Sequence, residues 1–131
     1  MADATTPVAA HKDAIRRFAA ERGWEPYHSP KNLVLALASE VGELCELFRW
    51  LTPAESRRAA DDPAKREAIA DELADVANIV FLLSAHTGSD LTEAIRAKMA
   101  KNAVKYPAPA KRAGRGRGGR TGGGGGPPRS G

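Results

Sequence analysis

The sequence predicts an all-α fold: a bundle of four main helices with one short extra helix, followed by a disordered C-terminal tail. Three observations predict it. Apolar residues recur at the three- and four-residue spacing of amphipathic helices. A capping residue followed by proline, a helix-start signal, occurs four times. No stretch alternates apolar and polar residues as a strand would. We place residues 1–110 in one helical domain and residues 111–131 in the tail.

The first helix is predicted to begin at Thr6, the N-cap residue, with Pro7 in the first helical position. It runs to about Arg22, because Gly23 supplies the conformation that commonly ends a helix. Residues 23–29, with the sequence GWEPYHS, then form a connecting loop. This loop is rich in aromatic side chains for its length.

The second helix carries the same start signal. It opens at Ser29 and Pro30 and is predicted to run to about Leu51. A short helix follows directly, because Thr52 and Pro53 repeat the signal. The second helix is therefore expected to be one of the two long elements of the fold.

The third helix is the other long element. Asp62 and Pro63 begin it, and it is predicted to extend to His86 or Thr87, where Gly88 is the C-terminal stop. It is apolar on more than one face, so it is expected to need burial on both sides.

The fourth helix is predicted from a different start signal. Asp90 is its N-cap, and Glu93 three residues later completes a capping box. The helix ends at Tyr106 and Pro107, since proline cannot continue it. One side of this helix is apolar, with Leu91, Ile95, Met99 and Ala103.

Two pairs of carboxylates stand at three-residue spacing: Glu40 with Glu43 in the second helix, and Glu72 with Asp75 in the third. Residues three apart share a helix face. Glu40 and Glu72 each lie in the middle of an apolar stripe, formed by Leu33, Leu37, Leu44 and Leu47 for the first and by Ile69, Val76, Ile79 and Leu83 for the second. Four carboxylates directed at a core would repel one another and take up protons.

A divalent cation would remove this conflict. Carboxylate ligands without a partnering histidine or cysteine suit magnesium, with manganese as a substitute. One alternative is that the acids are rim charges on solvated faces. Another is a di-iron carboxylate bundle, but that class uses Glu-x-x-His pairs, which neither helix has. His86 lies 14 residues beyond Glu72, about 21 Å along the helix, too far to share a metal with it.

The basic charge of the chain belongs to its tail. The formal net charge is +4, but residues 111–131 contain six basic residues and no acid, so residues 1–110 carry −2. Ten of the thirteen glycines are also in the tail, which predicts disorder. Arg-Gly segments can bind nucleic acid, and a solubilising extension is the alternative. A nucleic-acid-binding module is disfavoured by the slightly acidic domain.

The expected setting is a soluble cytoplasmic protein with no membrane partner. The single cysteine, Cys45, allows no internal disulfide, and we interpret it as a small buried apolar residue rather than a nucleophile. Residues 1–20 lack the apolar core of a signal peptide. No apolar run approaches the ~20 residues of a membrane span.

Taken together, these motifs resemble the MazG-like all-α nucleoside triphosphate pyrophosphohydrolases. The paired acids of residues 40–43 and 72–75 are similar to the signature of that superfamily. Seven shorter segments are similar, more narrowly, to the dCTP pyrophosphatase branch of that superfamily. They are WEPYH at 24–28, NL at 32–33, EVGEL at 40–44, LFRW at 47–50, KM at 98–99, Asn102 and KYP at 105–107. The resemblance covers about residues 8–108.

The resemblance implies magnesium-dependent hydrolysis of a nucleoside triphosphate to the monophosphate and pyrophosphate, with dCTP or a modified cytosine nucleotide as substrate. It assigns Glu40, Glu43, Glu72 and Asp75 as metal ligands and catalytic residues, at least one of which orients or deprotonates the attacking water. Bound cations would also let a triphosphate, with about four negative charges, approach four carboxylates. A different or broad base preference stays open.

The resemblance also assigns the substrate-binding residues. Trp24, His28 and Trp50 form the base pocket, where aromatic planes stack on a nucleobase. Lys98 neutralises phosphate charge, and Asn102 holds phosphate or ribose.

Two positions depart from the branch. Ile79 stands where relatives often have tyrosine, and Ile15 where animal relatives have histidine, so both bear on the choice of base and sugar. The resemblance further implies a homo-oligomer, a tetramer built from dimers. The sequence gives a separate reason, since the second and third helices are apolar on more than one face and need burial on both sides.

Overall fold

The computed structural model describes residues 1–110, and these residues are helical with no strand. Six α-helices follow one another: α1 Ala2–Thr5, α2 Val8–Glu21, α3 Pro30–Glu46, α4 Pro53–Arg57, α5 Pro63–His86 and α6 Leu91–Lys105. Two 3₁₀ turns, Glu25–Tyr27 and Ala59–Asp61, lie in the connections. The all-α prediction is confirmed, and α2, α3, α5 and α6 are the four main helices. The predicted tail, residues 111–131, lies outside the described residues.

The start of α2 differs by one position from the prediction. Pro7, not Thr6, is the N-cap residue, and Val8 is the first helical residue. Thr6 instead closes the short α1, which the sequence did not predict, by donating its backbone N–H to the carbonyl of Ala2. The predicted stop is confirmed, because Gly23 adopts φ +67°, the left-handed conformation that favours glycine.

The second main helix, α3, ends earlier than predicted. Ser29 caps its start by accepting a hydrogen bond from the N–H of Asn32 at 3.2 Å. The helix ends at Glu46 rather than near Leu51. Residues 47–50 form tight turns. They are closed by hydrogen bonds between residues three apart, such as that from the Leu51 N–H to the Phe48 carbonyl at 2.9 Å. The sequence pattern stays apolar through these turns, which is why periodicity alone did not place the end.

Caps fix the remaining starts. At α4, Thr52 and Glu55 form a reciprocal capping box. At α6 the predicted box is half formed: Asp90 accepts from the N–H of Glu93 at 2.8 Å, and the described residues include no return bond from the Glu93 side chain. Gly88, with φ +66°, ends α5 as predicted.

The packed centre of the molecule is the α3–α5 pair, with α2 against α5. The two acid-bearing helices run antiparallel, since Glu40 lies beside Glu72 while Leu33 and Leu82 line the same pocket farther along. The buried apolar residues of the described part are few: Ala19, Leu33, Ala59 and Leu82. This core is small, so much apolar surface stays exposed.

Helix α6 packs only weakly on the rest of the chain. All its residues except Leu91 and Asn102 are exposed, among them Ile95, Met99 and Val104. Because α6 packs so weakly, its apolar stripe has no covering surface within the described residues.

The exposure of Cys45 corrects a further prediction. Cys45 is exposed on α3 rather than buried, because its helix presents that side away from α5 and no described element covers it.

No helix in residues 1–110 is long and apolar enough to cross a membrane.

Candidate functional site

Three carboxylates from the two central helices converge. Glu40 and Glu43 of α3 and Glu72 of α5 each bring one oxygen within 4.8 Å of the others. The first two share a face because they are three residues apart, and the antiparallel packing of α5 sets the third opposite them. We call these three residues the acidic cluster.

Burial distinguishes the members of the acidic cluster. Glu43 is exposed, whereas Glu40 and Glu72 are partly buried. The Oε2 atoms of Glu40 and Glu72 are both buried without a hydrogen-bond partner in the described structure. A buried oxygen without a donor costs free energy. A cation bound between the helices would satisfy both atoms, so the residues present fit a divalent metal ion with hard oxygen ligands.

The electrostatics of the acidic cluster follow from this arrangement. Burial raises the pKa of Glu40 to about 7, and the nearby carboxylate of Glu43 and the charges of Asp75 and Glu72 act in the same direction. Burial, followed by the charge of Glu43, also raises the pKa of Glu72. Both shifts have the cause expected for acids crowded together at the edge of a core.

Asp75, the fourth predicted ligand, lies one turn beyond Glu72 on α5. Its charge is close enough to raise the pKa of both Glu40 and Glu72, and it lines the pocket described below. It is not among the three residues whose oxygens lie within 4.8 Å of one another. The described geometry thus gathers three of the predicted ligands tightly and sets the fourth beside them.

A pocket of about 790 Å³ lies beside the acidic cluster, and Glu40 is the member of the cluster that lines it. Its walls come from α2, the loop after it, α3 and α5. Apart from Glu40 and Asp75 at the acidic end, most of its lining is apolar or aromatic. The lining residues are His11, Ala14, Ile15, Phe18, Ala19, Trp24, Tyr27, His28, Asn32, Leu33, Ala36, Glu40, Asp75, Asn78, Ile79 and Leu82.

The aromatic loop forms one wall of this pocket. The Trp24 ring stands edge-on to Phe18, with centroids 5.7 Å apart, and edge-on to His28 at 6.2 Å. Asn32 donates its side-chain N–H to the Tyr27 carbonyl at 3.0 Å, which ties the loop to α3. The Nδ1 atom of His28 is buried without a partner in the described structure. Trp24 and His28 therefore both line the pocket, and their assignment to base binding stays a prediction.

The other three predicted substrate residues lie elsewhere. Trp50 is 79% exposed and faces the guanidinium of Arg49, 4.4 Å from its ring centroid. Lys98 and Asn102 are on α6, outside the pocket lining. Within one chain these side chains do not meet the pocket, and their roles stay predictions. Ile15 and Ile79, the two departures from the branch, do line it.

Sequence reasoning missed several lining residues, of which Asn78 and His11 are polar. Asn78 could have been found, because it stands three residues after Asp75 and thus on the acidic face of α5. His11 had no such signal. Its ring stacks on Phe81 at a centroid distance of 5.4 Å, a contact between segments 70 residues apart that only the packing of α2 on α5 creates.

Comparison with known proteins gives consistent results. The sequence model of the MazG-like family matches residues 35–115. The chain is 48% identical over 90 residues to dCTP pyrophosphatase 1 of Rattus norvegicus, covering 69% of this chain and 53% of the relative. It is 47% identical over 91 residues to the Homo sapiens protein of the same name, covering 70% and 54%. The chain thus spans about half the length of the curated relatives it matches.

A solved structure is also similar. The crystal structure of a pyrophosphatase from Archaeoglobus fulgidus superposes with a TM-score of 0.68 at 35% sequence identity. The match covers 73% of this chain and 88% of the archaeal one. The similarity therefore extends over nearly the whole archaeal fold.

Proposed function

This chain belongs to the MazG-like family, and from that membership and the geometry of the pocket we propose that it is a nucleoside triphosphate pyrophosphohydrolase. It would cleave a nucleoside triphosphate to the monophosphate and pyrophosphate. The observation that carries the proposal is the convergence of Glu40, Glu43 and Glu72 beside a mostly apolar pocket, which Glu40 lines. Such a pocket offers a phosphate end and a base end in one cavity.

The phosphate end is the acidic cluster. Glu40, Glu43 and Glu72 would hold magnesium, or manganese in its place, with Asp75 beside them as a further ligand. When bound, the ion would neutralise phosphate charge and activate water. The exposed carboxylate of Glu43 can orient or deprotonate the attacking water, because it alone of the three faces solvent.

The base end is the apolar part of the pocket. Trp24 and His28 provide aromatic surface for a nucleobase, a contact worth about 1–3 kcal/mol per base in other proteins. We propose dCTP or a modified cytosine nucleotide as the substrate, since the relatives at 47–48% identity are named dCTP pyrophosphatase 1. Ile15 and Ile79 line this end, so a different base preference is the alternative.

We propose further that the chain works as a homotetramer. The large apolar side chains left exposed on several helices support this, since exposed patches of this kind mark interfaces. In such an assembly, the substrate-binding roles predicted for Trp50, Lys98 and Asn102 would be carried out at the site of a neighbouring copy. The exposed apolar residues of α3, α5 and α6 are Val34, Leu35, Val41, Leu73, Ile95, Met99 and Val104.

A pyrophosphate-release assay over a panel of common and modified nucleoside triphosphates tests the activity. Pyrophosphate is expected from dCTP with magnesium, and none after chelation, with recovery on adding magnesium or manganese. Orthophosphate as the first product would contradict the proposed cleavage. Hydrolysis of another triphosphate in preference to dCTP would favour the alternative base preference.

A further inference from the structure

The pocket holds one polar side chain whose use the proposed function leaves open, the carboxamide of Asn78. It is partly buried on α5 and lines the pocket. Within residues 1–110 the side-chain hydrogen bonds of α5 involve other residues, and the Asn78 carboxamide is not among the buried side-chain groups without a partner. A carboxamide offers two donors and an acceptor. Asn78 therefore brings an unused donor–acceptor pair into the cavity.

The position of Asn78 along α5 sets it apart from the acidic cluster. Glu72, Asp75, Asn78, Ile79 and Leu82 follow one another at three- and four-residue spacing, so they share a helix face. At a rise of 1.5 Å per residue, Asn78 lies about 9 Å beyond Glu72 along the axis. A triphosphate held at the acidic cluster would place its sugar and base in this direction, because the apolar part of the pocket lies there.

Among the other polar groups of the pocket, Glu40 and Asp75 belong to the phosphate end, and the Nδ1 atom of His28 is also buried without a partner in the described structure. Asn32 donates to the Tyr27 carbonyl, and His11 is stacked on Phe81. His28 is held in the aromatic wall beside Trp24. Of the two carboxamides that line the pocket, Asn78 is thus the one left to meet a polar atom beyond the phosphates.

A nucleobase entering this pocket has apolar faces and a polar edge. Ile79, Leu82, Phe18 and Leu33 can cover the faces, but the edge would lose its hydrogen bonds to water. Burying unpaired donors and acceptors is costly. We propose that Asn78 is a specificity-determining residue whose carboxamide pairs with the donor–acceptor edge of the base. For cytosine, the side-chain carbonyl accepts from the 4-amino group while the side-chain N–H donates to N3.

This inference rests on the proposed function, and its test is a cycle of two changes. One change removes the carboxamide, by Asn78→Leu, which conserves size, and by Asn78→Ala, which favours the helix. The other removes the 4-amino group from the substrate, by replacing dCTP with the deoxynucleoside triphosphate of pyrimidin-2-one. kcat/KM is measured for each enzyme with each substrate in saturating magnesium.

In the unmodified protein, loss of the 4-amino group is expected to lower kcat/KM by roughly 10- to 100-fold, the range for a paired base contact. In Asn78→Leu and Asn78→Ala, loss of the 4-amino group should lower kcat/KM by less than about threefold, because the carboxamide that pairs with this group is already gone. The matched control is Val80→Leu, which alters a nearby residue of α5 outside the pocket lining without removing a polar atom. In this control variant, loss of the 4-amino group is expected to lower kcat/KM by the same factor as in the unmodified protein.

An equal cost of the 4-amino deletion in all four proteins would overturn the role of Asn78 while leaving the proposed activity intact. Equal rates on the two substrates in the unmodified protein would overturn it as well. No pyrophosphate from any triphosphate would instead overturn the proposed function, and this inference with it. The alanine variant keeps the test decisive if the leucine variant does not fold.

Discussion

Glu43 is the exposed member of the acidic cluster and the simplest residue to test. We predict that Glu43→Gln abolishes turnover in saturating magnesium, because the neutral amide is a far poorer ligand and base than the carboxylate. The free energy of unfolding of the metal-free chain should not fall, since one of three repelling charges is removed. Glu67→Gln, on an exposed part of α5, is the control and should keep normal turnover. A fully active Glu43→Gln protein would contradict the assignment.

Glu40 makes the stability of the metal-free chain depend on pH. Its pKa is about 7 in the folded chain against 4.5 ordinarily, so the folded state binds more protons between these values. Where the folded state holds more protons, the free energy of unfolding falls as pH rises. The raised pKa of Glu72 acts in the same direction.

We therefore predict that, with a chelator present, the urea midpoint of the metal-free chain falls as pH rises from about 5 to about 7.5. Glu40→Gln should flatten this dependence, because the amide does not titrate. Equal slopes for the two proteins would show that the group responsible lies elsewhere.

At the scale of elements, the start of α3 is important because this helix carries two of the three acids. Ser29 accepts from the N–H of Asn32 at 3.2 Å. We predict that Ser29→Ala lowers the free energy of unfolding by about 1 kcal/mol, the usual cost of losing such a cap. Ser39→Ala, at an exposed interior position of the same helix, should be neutral or slightly stabilising. The free energy of unfolding of each variant is measured in urea, and an equal change in the two would contradict the capping role of Ser29.

The whole molecule exposes more apolar surface than a single chain of this size is expected to leave uncovered. Leu35 on α3 is 60% exposed, Leu73 on α5 is 52% exposed and Met99 on α6 is 65% exposed. We predict a tetramer at micromolar concentration, because symmetric copies would bury these faces. Sedimentation or light scattering measures the mass. A fully active species near 13.9 kDa would rule out the oligomer and any site completed by a neighbouring copy.

The C-terminal tail is the other whole-molecule question. The pocket is built from residues 11–82, and the composition changes sharply after Pro109. We predict that deleting residues 111–131 leaves kcat/KM on a nucleoside triphosphate unchanged. Thermal unfolding of both proteins serves as the control for folding. A severalfold loss of activity with normal unfolding would show that the tail contributes to the site.

The sequence by itself determined most of the helix ends and the faces on which the acids stand. Helix starts follow from Ser29, Thr52 and Asp62, and stops from Gly23 and Gly88, because caps and glycine conformations act within a few residues. The pairing of acids at three-residue spacing is local in the same way. These predictions needed no knowledge of which helices meet.

Only the tertiary structure decided which of these faces come together. It brought Glu72 of α5 within 4.8 Å of the two α3 acids, set Asp75 beside them, and added Asn78 and His11 to the pocket. It also left Cys45 exposed. The physical reason is that these contacts join residues far apart in the chain. They depend on the angle and register at which helices pack, which a local pattern does not specify.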